Sequence, residues 1–129
     1  MAEWTGGAMT EPRFSFSDRI KSFRYAFAGL GFMLKSQHNA WVHLAITLLV
    51  IGAGLWLGIS AADWRWIIVA IALVWVAETT NTAFEFLCDA VVPNFHTSVE
   101  KAKDIAAAAV LICAAAAAVI GMLVFWPYL

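Results

Sequence analysis

Glu78, Asn81, Glu85 and Asp89 share one face if the segment that carries them is helical, because about 100° per residue confines them to an arc of roughly 80°. Three carboxylates and an amide stacked in this way can take a proton from a hydroxyl, hold Mg²⁺ through hard oxygen ligands, or relay protons. Lys103 and Asp104 follow a short polar stretch and can face the head of the stripe, with the lysine positioned to neutralise phosphate charge. Together they would equip the chain for phosphoryl transfer to an alcohol. No Walker A pattern occurs, and Gly29-Leu30-Gly31 does not continue as a kinase glycine loop, so any nucleotide is held by a different scaffold.

The elements around the stripe are set by composition. The chain is 63% hydrophobic and only 13% charged, against about 25% charged in soluble domains, which makes it an integral membrane protein. Residues 105–128 carry no charge over a length that, at about 1.5 Å per residue, exceeds a hydrocarbon core of roughly 30 Å. Residues 41–59 are also long enough to span. The apolar run from Trp64 ends at Ala77 and reaches only about 21 Å, so a span there must include Glu78. An unpaired charge at mid-depth costs about 2.5–3.5 kcal/mol, which a function or a partner has to offset.

Before the first span, Phe16, Ile20, Phe23, Phe27, Leu30 and Leu34 recur at spacings of three and four, with Arg19, Lys21, Arg24 and Lys35 mostly on the other flank. The pattern predicts a helix lying on the membrane surface, serving either as an anchor or, through Arg19 and Lys21, as the lining of a phosphate site. The expected fold is therefore all-α. A flexible tail over 1–12 precedes a single membrane domain over 13–129, with a surface helix at about 15–35 and spans at about 40–59, 64–90 and 101–127.

Of eight Lys and Arg residues, Arg13, Arg19, Lys21, Arg24 and Lys35 precede the first span, Lys101 and Lys103 lie between the second and third, and only Arg65 lies on the other side. The positive-inside rule then puts the N-terminus and the stripe in the cytoplasm and the C-terminus outside, with Trp56, Trp64, Trp66 and Trp126 as an outer aromatic belt. No cleavable signal peptide is expected. Cys88 and Cys113 lack metal-ligand spacing and read as inert thiols. The alanines of residues 106–118 allow close helix approach. Three helices offer little interior for the stripe, which predicts a homo-oligomer with the stripe buried between subunits. From the residues alone a kinase, an ion or proton carrier, and a scaffold held by a polar seam all stay open.

Glu78-x-x-Asn81-Thr82-Ala83-x-Glu85-x-x-x-Asp89, followed by Phe95-His96 and Lys101-Ala102-Lys103-Asp104-Ile105-Ala106-Ala107-Ala108-Ala109-Val110, closely resembles the small bacterial diacylglycerol kinase and undecaprenol kinase family. Upstream, Lys21-Ser22-Phe23-x-x-Ala26-x-x-Gly29-Leu30 and Asn39-x-x-x-His43 extend the resemblance, which covers roughly residues 16 to 126. It implies a homotrimer in the bacterial inner membrane, with composite sites at subunit interfaces, using ATP and Mg²⁺ to phosphorylate a lipid alcohol, with no nucleic-acid partner. It implies Glu78 as the catalytic base and Asn81 as its support. Glu85 becomes a metal ligand beside the triphosphate, and Asp89, Lys103 and Asp104 become nucleotide contacts. Gln37 stands where many members carry a second metal-binding glutamate, and Trp41 where an arginine is common; Gln37 is then a weaker, neutral metal ligand. The patterns around Lys21 and His43 look more like the undecaprenol kinase branch.

Overall fold

The computed structural model describes residues 13–129; the tail expected over 1–12 lies outside them. Four helices follow in order: α1 Phe16–Ser36, α2 His38–Leu57, α3 Ala61–Val91 and α4 Thr97–Phe125, closed by a 3-10 turn at Trp126–Tyr128. Three of them, α2, α3 and α4 with its closing turn, are long and apolar enough to cross a membrane. This is the all-α membrane fold expected from composition.

The helix ends follow from local chemistry. Ser15 caps α1 by accepting the Asp18 N–H at 3.3 Å. Gln37 breaks the chain between α1 and α2 with one extended residue, its N–H bonded to the Met33 carbonyl. Gly58, at φ 62°, ends α2 in the left-handed region that glycine tolerates, and the Ile59 N–H returns to the Gly54 carbonyl. Ser60 then caps α3 through the Asp63 N–H, and the His96 imidazole Nδ1 caps α4 by accepting from Ser98 N–H at 3.2 Å.

α3 and α4 form a long antiparallel hairpin, and α2 packs against α3. At the α2–α3 turn, Ile59, Ile67 and Val124 are buried among Val50, Leu57, Trp64, Ile71, Ile120 and Phe125. The Tyr128 hydroxyl donates to Asp63 at 2.6 Å and accepts the Ser60 N–H at 3.0 Å, which ties the end of the chain to the turn. Trp56, Trp66 and Trp126 are exposed here, whereas Trp64 folds inward against Gly54. A Cβ on Gly54 would lie 2.8 Å from the Trp64 ring. Gly54→Ala is therefore expected to cost about 1–3 kcal/mol, read as a lower midpoint in detergent-induced unfolding.

At the opposite end, near the α3–α4 loop, the α1–α2 elbow lies against α3. Phe32 meets Phe86 with ring centroids 5.2 Å apart. Met33 and Ala40, on either side of the elbow, are buried. The rest of α1 stands free of the bundle, with Phe16, Ile20, Phe23 and Phe27 exposed, an apolar stripe available to a membrane surface.

Midway, Trp75 Nε1–H donates to the Thr47 hydroxyl at 3.0 Å, and that hydroxyl donates to the His43 carbonyl at 2.7 Å. Between α2 and α4 lies a cleft of about 330 Å³ floored by Ile67, Ala70, Ile71 and Val74 of α3. Small residues on α4, among them Ala114, Ala118 and Gly121, form its far wall, and His43 lies at its polar end.

Candidate active site

The stripe on α3 lies where apolar packing gives way to solvent. Counting from Trp64, a hydrocarbon core of roughly 30 Å ends near Ala83, which leaves Glu78 inside by several residues, Glu85 at the boundary and Asp89 beyond it. Burial follows the same order: Glu78 is 2% exposed, Glu85 is half-buried and Asp89 is exposed.

The four residues do not serve one neighbour. Glu78 faces α2, with its Oε2 3.5 Å from His43 Nε2. Asn81 lines the α3–α4 groove beside Ala106, Ala109 and Cys113, and its Nδ2 donates to Glu85 Oε1 at 3.2 Å. That bond fixes the amide, because a carboxylate can only accept, and it leaves Asn81 Oδ1 buried without a donor. Asp89 accepts from Lys103 Nζ of α4 at 2.6 Å. Lys103, Asp89 and Asp104 line a polar pocket of about 370 Å³ under the α3–α4 loop, with Asn94, His96 and Glu100.

Thr82 was not singled out by its sequence, yet it is 5% exposed, and its hydroxyl, one turn beyond Glu78, has no hydrogen-bond partner among the described residues. Its i+4 spacing from Glu78 was the available signal. His43, which the sequence offered only as part of the upstream motif, is the neighbour of Glu78.

The expectation that other subunits are needed to hide the stripe is corrected for Glu78. It is 2% exposed within its own chain, with α2 set against it through His43. The remaining expected residues lie apart. Gln37 is half-buried at the elbow, and among the described residues no hydrogen bond joins it to Glu85. Lys21 pairs with Asp18 at 3.5 Å on the exposed surface of α1, and Arg19 lies over the Phe14 ring. Both are roughly 15–20 Å along the helix from Phe32, where α1 meets α3.

Among the described residues, no three His, Cys, Asp or Glu side chains converge on a metal position. Mg²⁺ characteristically takes one or two carboxylates and leaves its other positions to water and phosphate. Glu85, half-buried at the head of the stripe with only Oε1 hydrogen-bonded, fits such an open site.

A hairpin that sets paired acids and a lysine beneath a buried carboxylate matches the motif order already noted, and the family model for prokaryotic diacylglycerol kinase matches residues 24–125. The chain belongs to this family. Among its relatives, the undecaprenol kinase of Bacillus subtilis is 32% identical over 110 residues, covering 85% of this chain and 89% of that one. The diacylglycerol kinase of a Synechocystis species is 36% identical over 109 residues, covering 84% of this chain and 62% of that longer protein. The diacylglycerol kinase of Escherichia coli K12 is 28% identical over 119 residues, 87% of this chain and 98% of that one. The span matched to the prokaryotic diacylglycerol kinase family contains Gln37, His43, the whole stripe, Lys103 and Asp104, and leaves out Arg19 and Lys21.

Proposed function

We propose that this chain is a lipid kinase of the inner membrane that transfers the γ-phosphate of ATP to the primary hydroxyl of a membrane alcohol, with its N-terminus and site on the cytosolic side. The observation that carries this reading is a buried carboxylate, Glu78, beside the His43 end of an apolar cleft, with a polar pocket bordered by Lys103 and Asp89 about three turns farther along the same helix. A lipid alcohol reaches Glu78 from the membrane, and a nucleotide reaches Lys103 from water.

Glu78 takes the hydroxyl proton as the alkoxide oxygen bonds to the γ-phosphorus; the bond from that phosphorus to the bridging oxygen breaks, and ADP leaves. Asn81 holds Glu85 in place and keeps Oδ1 free to accept a hydrogen bond from the site. Lys103 exchanges Asp89 for a phosphate oxygen. Glu85 would hold Mg²⁺, with Gln37 brought in from the elbow as a weaker second ligand, and the ion would supply neutralising charge to the phosphates.

The cleft favours a single-chain alcohol. Its polar lining is His43 and Thr47, and the Thr47 hydroxyl is already bonded to the His43 carbonyl and to Trp75. The ester carbonyls of diacylglycerol find no spare donor along this wall, whereas undecaprenol needs none. Arg19 and Lys21 lie too far along α1 to serve their own site; in a homotrimer they are available to a neighbour's.

Purified protein in lipid vesicles, given Mg²⁺ and γ-labelled ATP, is expected to label undecaprenol with a higher kcat/KM than diacylglycerol. A preference for diacylglycerol overturns the substrate assignment. No label in either lipid, from folded protein, overturns the kinase reading.

A further inference from the structure

Glu78 is the most buried acid among the described residues, and a carboxylate in apolar surroundings is tolerated in its charged form only if a donor or a positive charge stands against it. Its surroundings contain few candidates. On α3 the next titratable side chain is Glu85, itself an acid. On α4 the groove beside this stretch is walled by Ala106, Ala109 and Cys113, and Lys103 is bonded to Asp89. On α1 Lys35 is exposed, and on α2 His38 is exposed. Among the described residues, the basic group within ion-pair distance of Glu78 is His43, its Nε2 3.5 Å from Oε2, with the imidazole only 16% exposed.

The position of His43 is itself fixed. The Trp75 indole holds the Thr47 hydroxyl, and that hydroxyl holds the His43 carbonyl, so α2 is pinned to α3 within one turn of Glu78. Trp75 and Glu78 are three apart on α3, and His43 and Thr47 four apart on α2; the two helices are thereby locked in the register that sets imidazole against carboxylate.

The geometry points to His43 as the positioning residue of the site: its Nε2–H holds Glu78 Oε2, keeps the buried carboxylate tenable as a base, and leaves Oε1 for the substrate hydroxyl. The assignment rests on the kinase reading for its catalytic meaning, but the pairing stands on geometry alone. At 3.5 Å the contact is long for a hydrogen bond, and catalytic hydrogen bonds commonly shorten when substrate fills the site.

The test compares His43→Phe, which keeps a ring without a donor, with His43→Gln, which keeps an N–H. In the lipid phosphorylation assay His43→Phe is expected to lower kcat about 30-fold, less than the roughly 10²–10⁴-fold that loss of the general base itself produces, with the KM for ATP unchanged within about twofold. His43→Gln is expected to recover at least about tenfold of that loss. A merely structural histidine predicts KM values that move with kcat and no recovery by glutamine; either result overturns the proposal.

A second measurement needs no turnover. In detergent-induced unfolding, His43→Phe is expected to destabilise the wild-type chain more than it destabilises Glu78→Gln, because only the former leaves a buried carboxylate unpaired. Equal destabilisation in the two backgrounds overturns the pairing. A wild-type protein that phosphorylates no lipid but shows this coupling would sink the kinase reading and leave the pair intact.

Discussion

Replacing Glu78 by glutamine is expected to lower turnover about a thousandfold, within the range that loss of a general base produces, while the chain still folds and still binds nucleotide. Glutamine has nearly the same shape and can accept the His43 N–H, so the packing beneath the elbow survives and only the capacity to take a proton is lost. The measurements are kcat with a lipid alcohol and the binding of a fluorescent ATP analogue to the same preparation. A loss confined to kcat places the effect in the chemical step rather than in binding. Residual activity above about a tenth of wild type would remove Glu78 from the role of base and return the stripe to a structural seam.

The second large effect falls on Lys103. Its ammonium is bonded to Asp89 at 2.6 Å, yet both groups border a pocket open to solvent, with side chains 32% and 67% exposed. An exposed pair of this kind holds a hairpin together by no more than about 1 kcal/mol. Its value lies in the exchange of partners: a triphosphate entering the pocket presents oxygens that can replace Asp89. Lys103→Ala is expected to lower kcat/KM for ATP about a hundredfold, by analogy with the removal of one transition-state donor, and to leave the KM for lipid little changed. Asp89→Ala, which removes the carboxylate and leaves the ammonium, is expected to cost less. Equal and small losses of stability in the two variants, with ATP kinetics intact, would reduce the pair to a clamp between α3 and α4.

Much of this arrangement was legible in the sequence because it depends on local quantities. The uncharged length after Ile105 requires a span, and the short run from Trp64 to Ala77 draws Glu78 into the membrane whatever the rest of the chain does. The helical repeat fixes that Glu78, Asn81, Glu85 and Asp89 lie on one side of α3. Lys103 and Asp104 were expected at the head of the stripe because a short loop forces an antiparallel return, and the Lys103–Asp89 bond accords with it.

What stayed illegible depends on which helix stands against which face. An arc of roughly 80° is wide enough for its two edges to meet different neighbours, so Glu78 faces α2 and Asn81 faces α4 although periodicity gives them a common side. His43 carries no signal of partnership with a residue 35 positions away. That pairing arises because α2 is pinned to α3 by the Trp75–Thr47 hydrogen bond within one turn of Glu78. The cleft is likewise a product of packing between segments: its lining comes from α2, α3 and α4, which only the folded chain brings together.

The sequence by itself determined the number of helices long and apolar enough to span and the side of α3 on which the acids stand, since length, hydropathy and the 3.6-residue repeat are properties of a chain segment. Only the tertiary structure decided that Glu78 is covered by its own chain, that His43 is its partner and that an apolar cleft ends beside it. Those outcomes depend on helix crossings and on a one-residue break at Gln37, which act between segments and leave no periodic trace within any one of them.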